Sequence, residues 1–389
     1  MDIKTLAEKY EPYIIERRRY YHTCPEPSSQ EKETRAQIKK DLEALGIADI
    51  REMKNCYGLV ADIHGSKPGK TVALRTDIDC LEIAEKTGLP FASTHEGLMH
   101  ACGHDNHIAM LLGAAKILNE VKAELCGNVR LVVQPAEEIA TGALDMLKEK
   151  ALDGVDAIYG AHIWGTLNAP LVDVTPGSRM ACCDKFSIEV EGATAHGSAP
   201  HLGLDAITIS AAIINNLQQC VSRMNDPLNP LVLTVGTIHG GSRWNSIPGS
   251  VTMEGTVRTF EKELNTAKVM KKVVEDTAAA FNARATLNYK RLTPPVLNEN
   301  EQLNRLAHNA VVKLYGEESV GHLPTMMASE DFSWFGDKTP YFFAFIGSRN
   351  EAKGLTYTNH NEHYDVDESV LKRGSAVMAQ FAVDFLQEK

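Results

Sequence analysis

Met99–Leu118 reads MHACGHDNHIAMLLGAAKIL. Its first half places Cys102, His104, Asp105 and His107, a thiol, two imidazoles and a carboxylate, within a few positions of one another. Its second half is an apolar run that predicts a buried helix, so the polar cluster falls on the loop and first turn leading into it. Ligand types packed this densely predict a bound cation. With β-rich runs on both sides, TVALRTDID (71–79) before and NVRLVVQP (128–135) after, the stretch marks an α/β architecture.

Working outward, YGLVADIHG (57–65) and TVALRTDID are separated by SKPGK, whose Pro-Gly pair predicts a turn and hence a hairpin or adjacent strands. The second run ends in Arg75, Asp77 and Asp79, and the carboxyl ends of strands are where open α/β sheets bind ligands. NVRLVVQP delivers Gln134, Glu137 and Glu138 at the same kind of position. Of two adjacent carboxylates, one can bind a metal while its neighbour faces a water, the division that metal-assisted hydrolysis requires. A third run, VDAIYGAHIWG (155–165), is read as ending at His162. Further upstream, Ile3, Leu6, Tyr10, Tyr13 and Ile14 have helical spacing and predict an amphipathic helix on a sheet edge, interrupted at Pro12. Ser29, Glu31 and Glu33 open a second helix that ends near Gly46.

From Phe186 the texture changes to strand, helix, two strands, helix and strand, the β-α-β-β-α-β order of a ferredoxin-like unit. The expected organisation is a catalytic domain over 1–182 and 292–389, with a mixed sheet flanked by helices, and an α+β domain inserted at 183–291. The insertion carries His196 in a Gly-rich loop, Asn245 before an Ile-Pro pair and Arg258 at a strand end. Each also suits a purely local role, such as an Asx-turn for Asn245. Downstream, Ser329 can cap a helix whose first turn holds Glu330 and Asp331, and YTNHNEHYDVDE (357–368) offers His360 and His363.

The chain has 389 residues, enough for two cores. Its net charge of -11, from 40 basic and 51 acidic side chains, argues against nucleic acid or anionic lipid as a partner and favours a small solute. Charges scattered through the first 22 residues leave no apolar core for a signal peptide or membrane span. The eight cysteines follow no framework spacing and are read as reduced thiols of a cytoplasmic protein.

Taken in order, MHACGHD, QPAEE, GAH, the H-x-x-x-P loop at His196, N-x-I-P at Asn245, GTVRTF and NHNEHYDVDE resemble a family of metal-dependent amidohydrolases. Its members include hippurate hydrolases, aminoacylases and indole-acetyl-amino-acid hydrolases, and it is related to the dinuclear zinc carboxypeptidases. The resemblance implies two divalent metal ions, manganese or zinc with cobalt or nickel as alternatives, held by Cys102, His104, Glu138, His162 and His360. It implies Glu137 as general base, His196 at the oxyanion, Asn245 and Arg258 near the substrate carboxylate, and an inserted domain that serves as lid and dimer contact. Asp105 and His107 then become supporting or helix-start residues. NHIAM after the motif, EEIATGA and NEHYD depart from the usual pattern, and His363 stands as a second imidazole beside His360.

The activity this implies is hydrolysis of the amide bond of N-acyl amino acids. A dipeptidase or carboxypeptidase of the same superfamily is the nearer alternative, and a non-catalytic metal-binding or ligand-binding module the more distant one. A redox role for Cys102 lacks a C-x-x-C partner.

Overall fold

The computed structural model describes residues 2–388, which form two compact units. Of the described residues, the first comprises 2–179, 297–324 and 331–388; the second comprises 180–296 and 325–330.

The first unit is built on an eight-stranded mixed sheet. With β1 Asp49–Glu52, β2 Leu59–His64, β3 Lys67–Asp77, β4 Cys126–Gln134 and β5 Ala157–Asn168, its order is β1-β2-β4-β3-β5, followed by Tyr341–Arg349, Val172–Asp173 and Val320–Gly321. β3 runs parallel to both β4 and β5, and β5 runs parallel to Tyr341–Arg349. The expected β2–β3 hairpin is therefore corrected, because β4 lies between the two. Val72 to Asp77 are buried without alternation, as a central strand covered on both faces requires.

Helix α3, His104–Glu120, is buried along nearly its whole length. It packs against α1, Ile3–Thr23, and the Leu371–Gln387 helix. This also corrects the reading of α1. It lies on helices rather than on a sheet edge, and Pro12 sits inside it without ending it. α2 spans Lys32–Ala44, with Glu31 at its N-cap in place of Ser29.

α1 delivers a buried cation to the helix that carries the opening motif. The Arg18 guanidinium, 1% exposed, pairs with Asp105 at 2.9 Å, Asp365 at 2.9 Å and Glu368 at 3.3 Å. His22 Nδ1 meets the same Asp105 oxygen at 2.8 Å. Burial opposes ionisation of Asp105, but Arg18 and His22 outweigh it and hold the carboxyl well below its usual range. Removing one partner of a buried ion pair strands the other charge, at a cost of about 3–5 kcal/mol. Arg18→Met is thus expected to lower the melting temperature sharply in calorimetry, and an unchanged melting curve would contradict the pairing.

The second unit has a four-stranded antiparallel sheet in the order Leu231–Gly240, Ser250–Thr259, Cys183–Glu191, Arg284–Thr293. Helices Ala206–Ser222 and Asn265–Ala280 complete its own apolar core around Phe186, Ile188, Val190, Ile213 and Val274. Alternate residues of Cys183–Glu191 point inward, the period-2 pattern that made this unit readable. Among the described residues, no helix is long and apolar enough to cross a membrane.

Candidate metal centre

Three loops, the first turn of α3 and one strand of the first unit bring the donors together. Cys102 and His104 flank Gly103, whose φ of 100° and whose approach to Ile163, 2.6 Å from where a Cβ would stand, both require glycine. Glu137 and Glu138 follow β4. His162 lies within β5, six residues before its end, which corrects the reading of a strand-terminal residue. His360 sits in the C-terminal loop with φ 69°, and its N–H donates to the Ala101 carbonyl at 2.8 Å.

The side chains converge on the thiol. Cys102 Sγ is 3.3 Å from His162 Nε2 and 3.3 Å from His360 Nε2. Glu138 Oε1 lies 3.8 Å from His104 Nε2 and 3.7 Å from His360 Nε2. Donor atoms of Cys102, His104 and His162 lie within 4.8 Å of one another, as do those of Cys102, Glu138 and His360. The thiol belongs to both sets, so one sulfur stands between two clusters of nitrogen and oxygen.

These residues fit metal ions. His104 Nε2 and Glu138 Oε1 are buried and have no hydrogen-bond partner, a costly arrangement that a cation would relieve. The imidazoles are already oriented, since His104 Nδ1 faces the Asp79 carbonyl at 2.9 Å and His162 Nδ1 the Ile163 carbonyl at 2.6 Å. Each Nε2 is thereby left to ligate.

The electrostatics also call for positive charge. Burial pushes the Cys102 thiol well above its ordinary range, and Glu138, Glu137 and Asp77 push the same way. Burial raises the Glu138 carboxyl to about 7, against the pull of His104. For His104, burial opposes the charge, yet Asp77, Asp79 and Glu138 outweigh it and raise the imidazole to about 10. Burial holds His162 well below its usual value and lowers His360 as well.

Residues outside the ligand set that the resemblance implies brace this centre. Asp77 Oδ1 accepts from His107 Nδ1 at 2.5 Å, and His107 Nε2 accepts the Ile163 N–H at 2.8 Å, which ties β3 to the backbone beside His162. With both ring nitrogens engaged, His107 is a brace. Asn359 Nδ2 donates to the Cys102 carbonyl at 2.8 Å and the Ile163 carbonyl at 3.1 Å, joining the His360 loop to both. Asp331, read as a helix-start acid, begins a 3-10 turn. Its backbone N–H donates to Glu137 Oε1 at 3.4 Å, while its carboxylate accepts from Gln134 Nε2 at 2.6 Å and Ala143 N at 3.0 Å. The Asp-x-Asp at the end of β3 was the visible signal for Asp77; nothing local announced Asn359. His363 packs against the Tyr357 ring at a tilt of 31°, and its Nδ1 meets the Lys86 carbonyl at 2.8 Å.

His196, Asn245 and Arg258 belong to the second unit. His196 pairs with Ser246 in a two-residue ladder, and its exposed ring meets Ser198 Oγ at 2.7 Å. The Asn245 carbonyl accepts the Gly197 N–H at 2.8 Å. Arg258 donates to Ser329 Oγ at 3.0 Å, so Ser329 serves as its partner rather than as a helix cap. His196 lines a cleft of ≈ 780 Å³ that also contains His239, Ser246 and Thr252.

The chain is similar to known proteins in sequence and structure. The model of peptidase family M20/M25/M40 matches residues 73–384. An N-acetyl-L-cysteine deacetylase of Bacillus subtilis is 40% identical, over 98% of this chain and 92% of its own length. Thermostable carboxypeptidase 1 of Saccharolobus solfataricus is 38% identical, over 98% of each. A crystal structure from Bacillus subtilis, titled a dinuclear metal binding peptidase from the M20 family, superposes with a TM-score of 0.86 at 35% identity, covering 98% of this chain and 99% of that one. The chain belongs to peptidase family M20/M25/M40 and is a C–N bond hydrolase.

Proposed function

We propose that this enzyme hydrolyses the amide bond of N-acyl amino acids with two divalent metal ions. Manganese or zinc is preferred, with cobalt or nickel also compatible with mixed sulfur, nitrogen and oxygen donors. The observation that carries the reading is the convergence of His162 and His360 Nε2 on Cys102 Sγ, each at 3.3 Å, beside the Glu137–Glu138 pair. Cys102, His104, Glu138, His162 and His360 hold the ions, which supply Lewis acidity toward the scissile carbonyl and toward water.

The remaining work falls to side chains. Glu137, its Oε1 steadied by the Asp331 N–H, takes a proton from the attacking water and returns it to the leaving nitrogen. His196 donates to the carbonyl oxygen as negative charge develops there, and Asn245 and Arg258 recognise the substrate carboxylate. The 183–291 insertion serves as a lid and as the contact of a homodimer, and the enzyme works on a small solute in the cytoplasm.

The test is a panel of N-acetyl, N-benzoyl and aminoacyl amino acids offered to protein reconstituted with each metal. Preferred cleavage of the acylated substrates is expected. Preferred cleavage of peptides would select the carboxypeptidase or dipeptidase reading, which the Saccharolobus relative favours. No cleavage by fully metallated protein would refute both.

A further inference from the structure

We propose that Glu31 is a positioning residue for this centre: together with Asp79, its buried carboxylate clamps the turn that presents Glu137 and Glu138. The inference rests on the roles assigned above to those two residues.

An acid at the start of a helix ordinarily faces water, yet Glu31 is 0% exposed. Its Oε1 accepts the Ala136 N–H at 2.8 Å and the Ser29 N–H at 2.9 Å, while Oε2 is buried without a partner. Asp79 Oδ2 accepts the Glu138 N–H at 3.0 Å and the Ser28 hydroxyl at 2.6 Å. The amides on either side of Glu137 are thus each fixed by a buried carboxylate, and both carboxylates are anchored to the Ser28–Ser29 segment. The turn needs holding, since Ala136 has φ 53°, in the left-handed region that alanine avoids. Beyond it, Thr141 and Gly142 N–H groups close on the Ala136 carbonyl at 3.3 and 3.1 Å. An apolar side chain would fill the Glu31 site more cheaply unless those amides required an acceptor. Burial pushes the Glu31 carboxyl up to about 7, so a neutral amide is a fair replacement for it.

The test compares Glu31→Leu, Glu31→Asp and Glu31→Gln in the full-length protein, with three readouts: manganese affinity by chelator competition, kcat and KM at saturating manganese, and melting temperature. Glu31→Leu is expected to weaken manganese binding about 10–100-fold and to lower kcat to a similar degree with little change in KM. Glu31→Asp, whose acceptor is drawn back from the Ala136 amide, should fall in the same direction, while Glu31→Gln, which keeps the acceptor, should restore both quantities to within about threefold. Should Glu31→Leu fail to fold, the Asp and Gln pair decides. A lowered melting temperature with wild-type affinity and kcat would overturn the proposal, as would a Gln variant no better than Asp. If the wild-type enzyme cleaves no N-acyl amino acid, the proposed activity falls, and the chelator measurement still decides the clamp.

Discussion

Glu137→Gln protein should bind its full complement of metal and lose N-acyl amino acid hydrolysis by about 10²–10⁴-fold in kcat, the usual worth of a positioned general base. The substitution keeps the shape of the side chain and an oxygen for the Asp331 amide, so the 3.4 Å contact that steadies Oε1 can persist. What disappears is the basic oxygen that takes a proton from water and delivers it to the leaving nitrogen. KM should change far less than kcat, because the lost interaction acts in the transition state. Elemental analysis separates the two carboxylates, since Glu138→Gln should cost metal. Turnover retained in Glu137→Gln would remove it from the mechanism and move the search to another base.

Cys102→Ala should bind less metal, with at least one ion lost per chain. Its sulfur is shared by the group with His104 and His162 and the group with Glu138 and His360, so its loss disturbs both. Thermal unfolding gives a second reading of the same prediction. A ligand that binds only the folded state stabilises it by about 2.7 kcal/mol at 100 times its dissociation constant. Added manganese should therefore raise the melting temperature of the wild-type protein and leave that of Cys102→Ala nearly unmoved. Metal-free, the two proteins should melt at similar temperatures, because a buried neutral thiol contributes mainly its volume. Wild-type stoichiometry in the variant would reduce Cys102 to a packing residue.

The parts of this molecule that could be read from sequence are those where chemistry is local. The second unit follows from simple alternation at Phe186, Ile188 and Val190 and from two amphipathic helices. Cys102 and His104 announce themselves by proximity, and Glu137 and Glu138 by their place after a buried strand. His162 was singled out by its strand and His360 by its histidine-rich loop, but their assignment to the ligand set came from resemblance to a family, since a single histidine has no local signature. The order β2-β4-β3 was missed because a Pro-Gly turn records where the chain bends, not which strand later slides into the gap. The burial of Glu31 was not legible for a related reason. The direction of an N-cap acid depends on what packs against the helix, and here that is a turn more than a hundred positions away.

The pairing of Cys102 with His360, 258 residues apart, bears on how the protein is made. At roughly 5–20 residues per second, a ribosome needs about 10–50 s to travel from one to the other. During that interval the emerging thiol has His104 near at hand and lacks the distant imidazole. A nascent chain that has not yet reached His360 therefore lacks one of the groups proposed to hold metal. A chain truncated before His360 is accordingly expected to bind metal more weakly than the full-length protein in chelator competition.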